Sequence, residues 1–88
     1  MNLENRAVRV LLKNSAPIEV YQKLEEYRIP TPYKEILIVS CVLGKDYFSA
    51  IDTLSEDYGI HLSYWTYCRR LKKALSLYYK SAKLYLSE

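Results

Sequence analysis

From Ser63 to Glu88 the chain reads SYWTYCRRLKKALSLYYKSAKLYLSE, with neither proline nor glycine, and no other stretch constrains the fold as much. Ser63 can cap a first turn, and Leu, Ala, Lys and Arg fill the interior, so the segment is expected to be one long helix. Tyr64, Cys68, Leu71, Leu75, Tyr78, Ala82 and Tyr85 recur at alternating spacings of four and three, which draws one apolar seam that the rest of the chain must cover. Beside the seam run Arg69, Arg70, Lys72, Lys73, Lys80 and Lys83, against a single acid, Glu88. A helix that packs by one face and offers cations by another suits an anionic surface, and double-stranded DNA is the leading candidate.

Charge distribution sharpens that reading. Residues 1–60 carry seven Lys or Arg and nine Asp or Glu, a balance of −2, whereas residues 61–88 carry six against one, a balance of +5. The positive field therefore sits at one end of the chain, where it can steer a polyanion. With 88 residues there is room for one domain, residues 1–88, and one modest core. Half of the residues are apolar and Gly plus Pro total only five, which excludes disordered and low-complexity classes. No apolar run approaches the roughly 20 residues that cross a bilayer, and MNLENRAVRV lacks a signal-peptide core, so a cytoplasmic protein without a membrane partner is expected. Cys41 and Cys68 lie far apart and read as buried thiols rather than as a disulfide.

Upstream, four shorter helices are expected. Leu3, Ala7, Val10 and Leu11 give a first amphipathic helix to about Asn14. Pro17 fits the first turn of a second, with Ile18, Tyr21, Leu24 and Tyr27 or Arg28 as its stripe. Ile29-Pro30-Thr31-Pro32 ends it, after which Thr31 can cap and Pro32 can open a third. That third segment, Tyr33 to Leu43, is apolar on almost every side. Its β-branched run also suits a buried strand, but the proline start, Lys34-Glu35 and the closing Gly44 favour a central core helix. Asp46 can cap a fourth whose buried face is Phe48, Ile51, Leu54 and Tyr58, and Gly59 ends it. The expected fold is all-α, about five helices, with an N-terminal helical hairpin packed on a C-terminal helix-turn-helix trio that ends in the long helix.

Within 46–78, a supporting helix, a bend with glycine and a basic helix have the layout of a helix-turn-helix, whose second helix places its start in a major groove. Two registers are open. If Gly59 occupies the turn, His61, Ser63, Thr66, Tyr67 and Arg70 point outward; if Ser63 starts the helix as its cap, Tyr64, Trp65, Cys68 and Arg69 move toward the groove. PYKEILIVSCVLGKDYFSAIDTL followed by LSYWTYCRRLKKAL resembles the C-terminal DNA-binding region 4 of sigma factors and the sigma-like small regulators of phages of Gram-positive bacteria. Pro32, Tyr33, Glu35, Ile36, Leu37 and Gly44 match the first element of that pattern. Ile51 and Leu54 match the second, and Ser63, Thr66, Arg70, Leu71, Lys72, Lys73, Ala74 and Leu75 the third. The resemblance covers about residues 32–78 and implies a transcription regulator. Two departures stand out: Glu56-Asp57-Tyr58-Gly59-Ile60 is longer than the family's bend, and Tyr64 and Trp65 replace the small residues usual after the cap.

The expected DNA-binding residues are thus His61, Ser63, Tyr64, Thr66, Tyr67, Arg69, Arg70, Lys72 and Lys73. Arginines near the helix start can fork onto guanine, and cations a turn later can grip phosphate. For Trp65, packing on the domain's own surface is expected over DNA contact. The tail beyond Leu75 is expected to fold back on the hairpin, with a homodimer as the other way of covering it. An enzyme is not expected: His61 is alone, there is no H-E-x-x-H and no phosphate-cradling glycine loop, and no metal or cofactor is implied. Ten tyrosines support the rival reading, an all-helical adaptor or inhibitor that binds RNA polymerase or another regulatory protein.

Overall fold

The computed structural model describes residues 2–87, with side chains described as far as Leu84. Tyr85, the last member of the expected seam, lies outside the described side chains. Five helices and no strand occur among the described residues. They are α1 (Leu3–Asn14), α2 (Pro17–Glu26), α3 (Tyr33–Leu37, continuing without a break as a π-helical segment Ile38–Val42), α4 (Tyr47–Tyr58) and α5 (Tyr64–Ser87).

Local chemistry explains most boundaries. Asn2 opens α1 by accepting the Asn5 N–H at 2.8 Å, and Asp46 opens α4 by accepting the Ser49 N–H at 2.8 Å. Pro17 stands in the first turn of α2, where no N–H is needed. Thr31 does not cap α3. Its hydroxyl donates instead to the Glu35 carboxylate at 3.0 Å, and Pro32 takes the cap position without a side-chain bond.

Three helices end in left-handed turns, that of the π segment at Gly44, as expected, with φ 65°. Gly59 closes α4 at φ 67°, and the Ile60 N–H reaches back to the Leu54 carbonyl at 2.9 Å. Arg28 does the same work after α2 at φ 53°, with Arg28 N–H to Glu25 O at 3.1 Å and Ile29 N–H to Leu24 O at 3.1 Å. Those two bonds and the buried Ile29 form a Schellman motif, so α2 stops at Glu26 and Arg28 belongs to its exit.

The centre of the fold is α3 with its π extension. Ile36 through Cys41 are six consecutive residues no more than 8% exposed, which a helix achieves only when it is enclosed on all sides. Here α1, α2, α4 and α5 all pack against it. The Leu43 N–H bonds to the Ile38 carbonyl at 2.9 Å, the five-residue spacing of a π turn. α1 also lies along α5, joined to it by a polar bridge. The buried Asn5 side chain donates to the Lys72 carbonyl at 3.4 Å and accepts from the Ser76 hydroxyl at 3.2 Å.

Several faces differ from the expected stripes. α1 buries Asn5, Val8 and Leu12, and leaves Leu3, Val10 and Leu11 exposed. α2 buries Val20 and Leu24, with Ile18 and Tyr21 outside. α4 buries Ala50 and Leu54, with Ile51 half-buried and Phe48 and Tyr58 outside. On α5 the core face is Tyr67, Leu71, Ala74, Leu75 and Tyr78, so the seam starts at Tyr67 rather than at Tyr64 and Cys68.

The left-handed exits at Gly59 and Arg28 make opposite predictions. Gly59→Ala, whose new methyl would meet no atom within 4 Å, is expected to destabilise the fold through backbone strain alone, by about 1 kcal/mol. Arg28→Gly is expected to raise stability by a few tenths to about 1 kcal/mol, since it relieves the same strain. Urea unfolding followed by circular dichroism measures both; equal signs for the two would be wrong for this geometry.

Candidate nucleic-acid interface

α4, the bend and α5 are held together from both sides of the turn. Leu54 on α4 and Tyr67 and Leu71 on α5 are buried in the common core, with Ile60 and Leu62 of the bend packed against it. Gly59 ends one helix and Ser63 begins the next, its hydroxyl accepting the Thr66 N–H at 3.3 Å. This is the register in which Ser63 acts as cap.

The residues expected at the interface then divide by their surroundings. Tyr67 is 1% exposed and belongs to the core, so it is not a contact residue. Its position four residues before Leu71 and seven before Ala74 places it on the packed face. His61 is exposed, but its Nδ1 pairs with the Ser55 hydroxyl at 2.9 Å and ties the bend to α4. Ser63 is occupied as cap and also donates to Thr66 Oγ1 at 2.9 Å. Tyr64 is half-buried between Tyr47 and Phe48. Arg69, Arg70, Lys72 and Lys73 are exposed. So is Trp65, at 75%, contrary to the expectation that it packs on the domain.

At about 100° per residue, Lys72, Trp65, Arg69 and Lys73 fall within about 100° of arc, directly opposite the buried face. Arg70 sits at the edge of this arc and leans toward α3, donating from Nη1 to the Tyr33 hydroxyl at 3.0 Å with its guanidinium 5.9 Å from the ring centre. Lys73 lies 5.4 Å over the same ring. Tyr33, Thr66, Arg69, Arg70 and Lys73 line an open cleft of about 290 Å³. Arg69 Nη2 reaches Thr66 Oγ1 at 3.5 Å, a long contact that points the guanidinium along the cleft.

No carboxylate among the described residues forms an ion pair with Arg69, Arg70, Lys72 or Lys73; the ion pairs are Lys23–Glu26 and Lys34–Glu25, on α2 and the start of α3. The Tyr33 phenol registers this uncompensated field. The hydrogen bond from Arg70, followed by the charge and hydrogen bonding of Lys73, holds its pKa below the ordinary 10.0 against the opposing effect of desolvation. An anionic oxygen placed in the cleft would find guanidinium, ammonium and hydroxyl donors together.

Tyr33 was not among the expected interface residues, because it is 37 positions from Arg70 and only the tertiary packing of α3 on α5 brings them together. Phe48, assigned to the core by its spacing, is 70% exposed and stacks on Tyr64, with centroids 5.5 Å apart and planes at 25°. Trp65 meets Tyr64 edge-on at 5.2 Å. Three rings from two helix starts thus form one aromatic surface next to the cations. The described residues contain no helix long and apolar enough to cross a membrane and no cluster of His, Cys, Asp and Glu fit to hold a metal ion. No family model matches the chain, and comparison with curated proteins and with solved structures gives no match.

Tyrosinate absorbance against pH tests the electrostatics. A first step, that of Tyr33, is expected below the ordinary 10.0, and Arg70→Ala is expected to move it upward. Tyr78, pushed up to about 12 by burial, closes the titration. Because its folded pKa lies above the ordinary 10.0, its contribution to stability is intact below pH 10 and is lost as pH rises through about 12. A first step that stays put in Arg70→Ala refutes the assignment.

Proposed function

We propose that the protein binds double-stranded DNA as a small transcription regulator, with the first turns of α5 in the major groove and α4 as the supporting helix. One observation carries this reading: the start of a capped helix presents Arg69, Arg70, Lys72 and Lys73 on an exposed arc free of carboxylate partners. Like charges held together without acids repel, and a polyanion removes that repulsion by binding. Arg69 lies nearest the helix start and is assigned to base edges, where a guanidinium forks onto guanine. Arg70 and Lys73, with Tyr33 between them, are assigned to a backbone phosphate. Their cleft is at the side of the helix, where a strand flanking the groove would pass. The layout also accords with the resemblance to sigma region 4, in which a capped helix of this composition recognises DNA. In this reading the protein has no catalytic role, and His61 serves the bend through Ser55.

A second reading is favoured by a separate observation. The outward face of α1 and the second half of α5 form an apolar groove of about 380 Å³, lined by Ala7, Val8, Leu11, Tyr78, Tyr79, Ala82 and Lys83. Leu11 is 55% exposed along it. An adaptor or inhibitor that binds a regulatory protein would use this face, and its basic arc would then serve solubility or an acidic partner.

Binding to duplex DNA across a salt series separates the two. The wild type is expected to bind at low salt, with log K falling by about 0.9 per phosphate contacted for each unit of log salt concentration. The variant Arg69→Ala, Arg70→Ala, Lys72→Ala, Lys73→Ala, checked for retained helicity, is expected to lose binding, and replacement of Arg70 or Lys73 alone to reduce the slope by about one unit. Absence of binding by the wild type at low salt favours the protein-binding reading.

A further inference from the structure

Scattered exposed apolar side chains need no explanation, but a contiguous aromatic patch does. Phe48 and Trp65 are 70% and 75% exposed, and Tyr64 braces both. Tyr64 is itself held edge-on by Tyr47 at 5.8 Å and 77°, so the patch rests on a fixed support. It also occupies a particular place. Trp65 stands one turn ahead of Arg69 and two turns ahead of Lys72 on the same face of α5, and Phe48 brings the first turn of α4 to the same spot.

We propose that the Phe48–Tyr64–Trp65 surface reads thymine, by covering the 5-methyl groups that A·T pairs expose in the major groove. This rests on the DNA reading above. A duplex gripped by the cations of α5 presents base edges, not base faces, to the helix start. Donors and acceptors dominate those edges, and the thymine methyl is their one apolar group. An indole and a phenyl ring side by side gain nothing from phosphate and little from guanine or cytosine edges, whereas they remove the methyl from water. The indole N–H, which has no hydrogen-bond partner among the described residues, can donate to the thymine O4 beside that methyl. The recognised duplex therefore carries thymine under the start of α5, with the guanidinium of Arg69, about 6 Å further along the helix, reading a neighbouring base pair.

The test uses the full chain with poly(dA)·poly(dT) and poly(dA)·poly(dU), which differ in the 5-methyl group. Trp65, the protein's single tryptophan, supplies the fluorescence signal. The wild type is expected to bind the thymine duplex tighter by about fourfold for each methyl covered, with a change in Trp65 emission. Trp65→Ala and Phe48→Ala, read by anisotropy of labelled duplexes, are expected to bring the two affinities together. Both residues are exposed, so both variants should fold, and circular dichroism checks this. Equal wild-type affinities, or a thymine preference that survives both substitutions, would overturn the proposal while leaving DNA binding intact. No binding to either duplex at low salt would overturn the DNA reading as well.

Discussion

The rotation of α5 about its own axis is the constraint on which the rest depends. Tyr67, Leu71, Ala74, Leu75 and Tyr78 are all at most 5% exposed, and burying each large side chain contributes about 1.5–3 kcal/mol relative to leaving it in water. A rotation by one position would carry Cys68, Lys72 and Tyr79 toward the core in their place. Burying Lys72 without a partner would cost several kcal/mol, so the helix has one admissible face inward. What it shows to solvent follows from this. The outward arc holds Trp65, Arg69, Lys72 and Lys73 because the inward arc has taken the residues between them.

This lock also accounts for the acid-free cluster. The ion pairs of the described residues form where carboxylates are local, on α2 and at the start of α3. The nearest ionisable neighbour offered to Arg70 across the core is a phenol, Tyr33, which solvates the guanidinium without cancelling its charge. At physiological salt the screening length is about 8 Å, so cations one turn apart still feel one another. A surface arranged in this way retains its positive potential for an incoming anion.

Much of this was legible in the chain. Pro17, Asp46, Gly59 and Ser63 mark their boundaries by local chemistry, and the run from Ile36 to Cys41, apolar but for Ser40, marks the enclosed helix. The faces were harder to read. α1 carries two competing stripes, and the one chosen by the fold is anchored by Asn5, a polar residue that an apolar count passes over. Its hydrogen bonds to Lys72 and Ser76 join parts of the chain more than 60 residues apart. Phe48 likewise satisfies helical spacing for burial with Ile51 and Leu54, but Ala50 holds the contact between α4 and the central helix. Nothing in the local sequence ranks an alanine above a phenylalanine for that place. The closeness of α4 to the π segment does, and only the assembled fold supplies it.

The length of α5 has a separate cause from its chemistry. Its 24 residues span about 36 Å at 1.5 Å each, whereas a groove-reading segment needs only the first few turns. The second half is occupied elsewhere: Leu75 and Tyr78 are buried, Tyr78 meets Tyr27 edge-on at 5.1 Å, and α1 runs alongside. The helix is long because α1 closes against it as well as against the π segment, and its basic leading end is carried outward on that wall. A single element thus serves as core, as support for the N-terminal helices and as the mount for the cationic and aromatic arc. It follows that the apolar groove between α1 and the trailing half of α5 lies away from the cationic arc, so whatever covers the groove leaves the arc open.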